Sequence, residues 1–185
     1  MNVELFWNII DSSTKANSLA EQAELIENKL NELDKKSLVE FYNIYEDYEI
    51  KAYNWPLWAA AYVILGGCSD DDFMDFRAWL ITRGKKIYEA AIENPDSLAE
   101  QEIGYLLESE DAEELGFIVP DVYEKRFGGD LYDDEDISEA DYPDEPAGEP
   151  WNEDDDDLQK IVPNLFEKFK DFDEDYSITD DDYEE

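Results

Sequence analysis

The sequence predicts an all-α fold: a compact multi-helix single domain, an acidic and largely irregular C-terminal region, and a terminal helix able to dock on the core. Three observations carry this. Apolar residues recur at three- and four-residue steps through most of the chain up to residue 127, the period of helices that bury one face. The run 55–65 (WPLWAAAYVIL) has no polar face beyond the Tyr62 hydroxyl and ends at Gly66-Gly67, as a short core helix with a left-handed C-cap does. Charge then divides the chain: residues 1–130 hold 28 acidic and 11 basic residues, and residues 131–185 hold 24 and 3.

Each helix has its own signal. Residues 3–10 place Phe6, Trp7 and Ile10 on one side. Leu19, Ala23, Ile26, Leu30 and Leu33 form the apolar stripe of a second helix. Ser37 reads as the N-cap of a third, with Glu40 completing a capping box and Leu38, Phe41, Ile44, Tyr45 and Tyr48 facing inward. Asn54-Trp55-Pro56 opens the fourth, with Pro in the first turn where its missing N–H costs nothing. That helix is expected to be the most buried element, enclosed by the helices starting near Ser37 and Ser69. Ser69 reads as an N-cap, with Asp70, Asp71 and Asp72 favoured in the first turn by the helix dipole. Phe73, Phe76, Leu80, Ile87 and Ala91 mark the buried side of the helix that follows, with Trp79 beside it. Asn94-Pro95-Asp96-Ser97 breaks the chain, residues 98–107 resume a helix, and a short helix covers 121–127 before Gly128-Gly129.

The expected organisation is therefore a helical domain over 1–130 and an acidic irregular linker over 131–157. A terminal helix over 158–170 (from LQKIVPNLFEKF, with Ile161, Leu165, Phe166 and Phe169 as its apolar side) and an acidic tail over 171–185 complete it.

Composition restricts what such a chain can do. Its 185 residues support one sizeable core. A formal charge of −38 repels phosphate backbones and anionic membrane surfaces, so neither nucleic acid nor membrane is an expected direct partner. The same charge attracts basic proteins and, weakly, divalent cations. It is also what a halophilic or solubilising surface would carry. One cysteine, Cys68, suits a reducing compartment. The N-terminus lacks a basic n-region, and no apolar run approaches the ~18 residues of a membrane span. A cytoplasmic protein is expected.

Specific sequence blocks are similar to a known family. FWNIID (6–11), YNWPLWAAAYVILGGCSDDDFMDFRAWLITRGKKIYE (53–89) and NPDSLA (94–99) resemble the bacterial family catalogued as domain of unknown function 4240. A weaker echo lies in EPAGEPW and LQKIVPNLFEKF, so that the resemblance reaches Lys170. It implies a helical bacterial domain without an established reaction, and it supplies no catalytic residue.

Candidate chemistry concentrates in two places. At the corner formed by Cys68, Ser69, Asp70, Asp71, Asp72 and Arg77, a thiol at a helix N-terminus could act as a nucleophile. The three aspartates oppose a thiolate, and the chain has no histidine to serve as base. The structural alternative is a tight corner with a small buried cysteine and a capping serine. Arg77, beside Phe76 and Trp79, is expected to pair with an aspartate of the preceding turn or to hold an acidic ligand. In the tail, Asp171, Asp173, Asp175 and Asp182 fall at positions 1, 3, 5 and 12 of an EF-hand-like loop, with Ser177 between them. Tyr176 stands where such a loop needs Gly, and Asp182 where it needs the longer Glu, so weak cation condensation is expected rather than a tight calcium site.

The functional expectation is a non-enzymatic acidic protein-binding module without a cofactor, in the manner of an immunity or inhibitor protein that neutralises a basic toxin or nucleic-acid enzyme. The alternative is an enzyme with its pocket at the corner between Cys68 and Arg77.

Overall fold

A computed structural model of the chain describes residues 2–103, 111–138, 140–153 and 155–170. Among these residues the architecture is all-α, without a strand: α1 (Val3–Ser13), α2 (Leu19–Leu30), α3 (Lys35–Ala52), α4 (Trp55–Leu65), α5 (Asp70–Thr82), α6 (Lys85–Glu93), α7 (Asp111–Phe127), α8 (Asp155–Ile161) and α9 (Pro163–Phe169), with 3-10 turns at Pro95–Glu100 and Leu131–Asp133.

Polar side chains set the helix starts. Asn2, Ser18, Asp34, Asn54 and Ser69 each accept a hydrogen bond from a first-turn backbone N–H, satisfying donors the helix itself cannot pair. The third helix starts earlier than its sequence suggests. Asp34 is the cap and Ser37 lies inside the first turn, its N–H donating to Asp34 Oδ1 at 2.7 Å. Aspartate and serine cap equally well, so spacing alone does not choose between them.

Two helices begin under caps borrowed from elsewhere in the chain. The segment after Ser69 divides into α5 and α6 at Gly84, which adopts φ +92°. A Cβ there would stand 2.7 Å from Asp11 Oδ1, so both conformation and space require glycine. Asp11 then accepts from the Lys85 N–H at 2.9 Å and caps α6 from the end of α1. Asp96, only 7% exposed, does the same for α9: its Oδ1 accepts from the Asn164 and Leu165 N–H groups, both at 2.9 Å. The FWNIID and NPDSLA blocks thus each contribute an aspartate that closes a distant helix.

The core gathers Phe6 and Trp7 of α1, Phe41 of α3, Leu57 and Ala60 of α4, Phe73 and Leu80 of α5, and Tyr88 of α6. Trp7 donates from Nε1 to the Tyr48 hydroxyl at 2.9 Å, and the Tyr88 hydroxyl donates to the Tyr48 carbonyl at 2.7 Å. These bonds satisfy the polar ends of rings whose bodies are enclosed.

The most continuously buried stretch is residues 76–82 of α5 rather than α4. In α4, Leu57, Ala59, Ala60, Ala61 and Ile64 are buried, whereas Trp55, Trp58 and Tyr62 remain partly exposed. Its main neighbours besides α5 are α8, α9 and the turn Pro95–Glu100, not the helix near Ser37. The apolar island after residue 157 therefore docks on α4, burying Leu158, Val162, Leu165 and Phe169.

Helix α7 also departs from expectation. It runs from Asp111 through Pro120 to Phe127 instead of starting at residue 121. Proline inside a helix removes one backbone bond. Burial of Val119, Val122 and Tyr123, on a helix that packs against α2, α5 and α3, offsets that loss. After the break at Asn94 the chain forms only the turn Pro95–Glu100, and residues 101–103 are not helical. The remainder of the helix expected over 98–107 lies outside the described residues.

The acidic segment 130–153 has almost no regular structure, yet it lies pinned across α3 and α4. Asn43 of α3 donates to the Asp136 carbonyl and accepts from the Ser138 N–H, each at 3.0 Å. Ala147 forms an isolated parallel bridge at Asn54, with Trp55 N–H donating to its carbonyl at 2.9 Å and its own N–H donating to the Tyr53 carbonyl at 3.0 Å. Gly148, at φ +94°, brings the backbone against Pro56, where a Cβ would come within 3.3 Å. Trp151 then donates from Nε1 to the Trp55 carbonyl at 2.9 Å. The EPAGEPW block is the clasp that closes this strap on α4.

Candidate functional site

The residues of the corner between α4 and α5 do not form one site. Gly66 ends α4 in the left-handed conformation, and Ser69 and Asp72 make a reciprocal capping box. Ser69 N–H donates to Asp72 Oδ2 at 2.9 Å, and Asp72 N–H to Ser69 Oγ at 3.2 Å. Asp70 and Asp71 are exposed in the same turn. The Cys68 carbonyl accepts from Trp58 Nε1 at 3.1 Å. Burial, reinforced by Asp72, pushes the Cys68 thiol up to about 12. It stays protonated at neutral pH, and a protonated thiol is a poor nucleophile. This turn closes a helix junction.

Arg77 belongs to a different environment, two turns further along α5. It is 6% exposed and faces Glu49 of α3, not an aspartate of its own first turn. Its Nη1 donates to the Glu49 carbonyl oxygen at 3.0 Å and stands 3.5 Å from Glu49 Oε2, while Nε donates to the Phe73 carbonyl at 3.3 Å. The guanidinium lies 5.0 Å from the Tyr53 ring centre and 5.2 Å from that of Phe73. A charge removed from water needs such partners on every side.

Glu49 is the residue that sequence reading missed. It is 3% exposed, it accepts from the Tyr45 hydroxyl at 3.1 Å through Oε1, and its Oε2 has no hydrogen-bond donor. Burial raises its carboxyl to about 7, against the opposing pull of Arg77 and Tyr45. Glu46, one turn away, is also raised, chiefly by burial. A carboxyl in this state can exchange a proton near neutrality. Buried as it is, it offers no surface to a substrate. The signal was present in the spacing: continuing the stripe Leu38, Phe41, Tyr45 along α3 lands on Glu49 before Ala52. A glutamate on an apolar stripe, in a chain with an arginine on another, marks a buried pair.

The surface is acidic because acidic residues outnumber basic ones 52 to 14, and several of the cations are engaged by the chain's own groups. Arg126 donates to the carbonyls of Leu30, at the end of α2, and Leu33, just past it. Lys168 donates to those of Ala99 and Gln101. Lys35 pairs with Asp134 at 2.8 Å, and its ammonium, with the Tyr123 hydroxyl, holds the Asp134 carboxyl down to about 2. Along the strap, Asp133, Glu135, Asp136, Asp141, Asp144 and Glu145 stay exposed. Among the described residues no group of three or more acidic or thiol side chains converges to hold a metal ion. Asp171, Asp173, Asp175, Ser177 and Asp182 lie outside the described residues. No described helix is long and apolar enough to cross a membrane.

Residues 1–125 match the family described as protein of unknown function (DUF4240), and the chain belongs to it. The match covers FWNIID, the central block and NPDSLA, while EPAGEPW and LQKIVPNLFEKF fall beyond it. No curated protein and no solved structure matches the chain.

Proposed function

We propose that this protein is a non-enzymatic acidic binding module whose partner is a basic protein, such as a toxin or nucleic-acid enzyme that it neutralises. The observation that carries this reading is the pinned strap. An acidic segment serving only solubility needs no fixed position. Here Asn43, the bridge at Ala147 and the Trp151 indole hold carboxylates at set places on the body. Charges fixed before encounter give complementarity without an ordering cost. Arg77, buried against Glu49, and Arg126 and Lys168, engaged by backbone carbonyls, add to it by leaving fewer cations free to offset that charge.

The test is to immobilise the full-length chain, capture proteins from its source cells, and measure each captured protein by interferometry at increasing salt. A basic partner is expected, with affinity falling steeply with salt and mostly through the association rate, since exposed charges are screened beyond ~8 Å at physiological ionic strength. Replacing Asp133, Glu135 and Asp136 by their amides should slow association. Deleting residues 171–185, which hold nine acidic residues and no basic one, should slow it further. A neutral or acidic partner bound independently of salt would overturn the proposal.

A further inference from the structure

The clasp leaves an aromatic ladder along α4. Trp58 stacks on Phe73 at 4.8 Å and 14°, and Trp55 stacks on Trp58 at 5.4 Å and 11°. Trp151 meets Trp55 edge-on at 6.4 Å and Tyr62 at 5.3 Å. Phe73 closes the ladder inside the core, whereas Trp55, Trp58, Trp151 and Tyr62 all retain part of their surface to solvent. A carboxylate meets it at Tyr62, and further acidic residues neighbour both ends in sequence. Trp58 is tied to the Cys68 carbonyl, next to exposed Asp70 and Asp71. Exposed Glu149 and Glu153 flank Trp151, and Glu153 accepts from the Tyr62 hydroxyl at 3.3 Å.

Tryptophan and tyrosine, partly exposed and fixed by hydrogen bonds, are the side chains that concentrate binding energy at protein interfaces. With a carboxylate beside them, they select among cations. A guanidinium is planar and weakly hydrated; it lies flat on an aromatic face while its edge reaches a carboxylate in bidentate fashion. A lysine ammonium is a compact, strongly hydrated point charge that satisfies the carboxylates and gains less from the rings. Cations of both kinds already lie over rings in this chain, Lys35 over Tyr123 at 5.3 Å and Lys168 over Phe169 at 5.5 Å beside three arginines. Arg77 lies over Tyr53 and Phe73, Arg83 over Trp79 at 5.5 Å, and Arg126 over Phe127 at 4.7 Å.

We infer that the ladder of Trp58, Trp55, Trp151 and Tyr62 is the docking surface for an arginine-bearing segment of the basic partner, and that it selects arginine over lysine. This rests on the binding-module reading above and deepens it: the strap supplies long-range attraction, and the ladder supplies the short-range choice.

Hexa-arginine and hexa-lysine peptides, titrated into the full-length chain at low and high salt and followed by tryptophan fluorescence and calorimetry, separate the two readings. Hexa-arginine should bind roughly three- to tenfold more tightly than hexa-lysine, retain more of its affinity at high salt, and change the tryptophan emission. Trp151→Leu should bring the two peptides close to equal affinity, with the larger loss on hexa-arginine. Because that variant also loosens the clasp, the pair Glu149→Gln and Glu153→Gln, which leaves every ring in place, is measured beside it. That pair should weaken hexa-arginine several-fold more than Glu4→Gln with Glu24→Gln on α1 and α2 does. Salt-sensitive binding that does not distinguish the peptides, or that responds equally to both glutamate pairs, would overturn the ladder and leave the acidic-surface reading standing. Failure of both peptides to bind at low salt would overturn both.

Discussion

In the helical body, α1 and α3 meet through Phe6, Trp7, Phe41 and Tyr48, whose ring centres lie 4.7 to 5.4 Å apart. Across the strap at 130–153 the attachments are mostly polar: two bonds to the Asn43 amide, the bridge at Ala147, the Trp151 indole N–H, the contacts of Lys35 and Tyr123 with Asp134, and the Tyr62 hydroxyl on Glu153. The body is held by continuous apolar area, which is non-directional and cooperative. The strap is held by discrete polar contacts, each worth about 1 kcal/mol, together with a few buried side chains such as Leu131 and Pro146. A chain at −38 can keep acidic residues near its own surface only where such contacts outweigh self-repulsion. The contrast explains how one polypeptide maintains both a firm core and a fixed acidic exterior.

The comparison breaks most readily at the core. Trp7→Ala, at a side chain 2% exposed, should cost about 3–5 kcal/mol by urea denaturation. Tyr132→Ala on the strap, 56% exposed, should stay within about 0.5 kcal/mol. Equal losses would show that the strap is part of the core.

The buried Glu49 gives the next effect, and its sign is set by the direction of its shift. The folded chain holds this proton up to about 7, whereas an unfolded glutamate releases it near 4.5. Its contribution is therefore most favourable below about 4.5, declines as pH rises through that window, and stays low above about 7. Glu49→Gln should remove this decline and raise stability at pH 8 relative to wild type by up to about 3 kcal/mol, with little change near pH 5. Urea midpoints at the two pH values measure it. A variant destabilised at both would mean that the charged pair with Arg77 is a net support.

Asp96→Ala removes three hydrogen bonds to the start of α9 and should cost about 1–3 kcal/mol. Hydrogen exchange should place the loss in residues 163–169 while α1 to α3 keep their protection. Asn43→Ala should cost about 1 kcal/mol, read as faster exchange at the Ser138 amide without a shift in the global transition. Global destabilisation by Asn43→Ala would merge strap and body into one cooperative unit.

Much of the fold was legible because helical burial is periodic. The stripes of α1, α2 and α3, the proline start and glycine stop of α4, and the Ser69 N-cap all rest on neighbours within a few residues. The corner at Cys68 was legible as a cap for the same reason. Arg77 was legible only as a buried cation, since its partner is 28 residues away. The division at Gly84 was missed because the glycine answers to Asp11, far back in the chain. The continuation of α7 through Pro120 was missed because local rules end a helix there and tertiary burial overrides them.

By itself the sequence determined the fold class, the positions of most helices, the acidic charge and the place where composition changes, all properties of residues and their near neighbours. Only the tertiary structure decided which side chains complete one another across the chain. It set Glu49 against Arg77, used Asp11 and Asp96 as caps for remote helices, and closed EPAGEPW on the tryptophans of α4. Helix periodicity repeats every few residues and leaves its record in the local pattern. A hydrogen bond or ring stack between segments tens of residues apart depends on the path of the whole backbone, and the pattern of either segment alone does not fix which partner it meets.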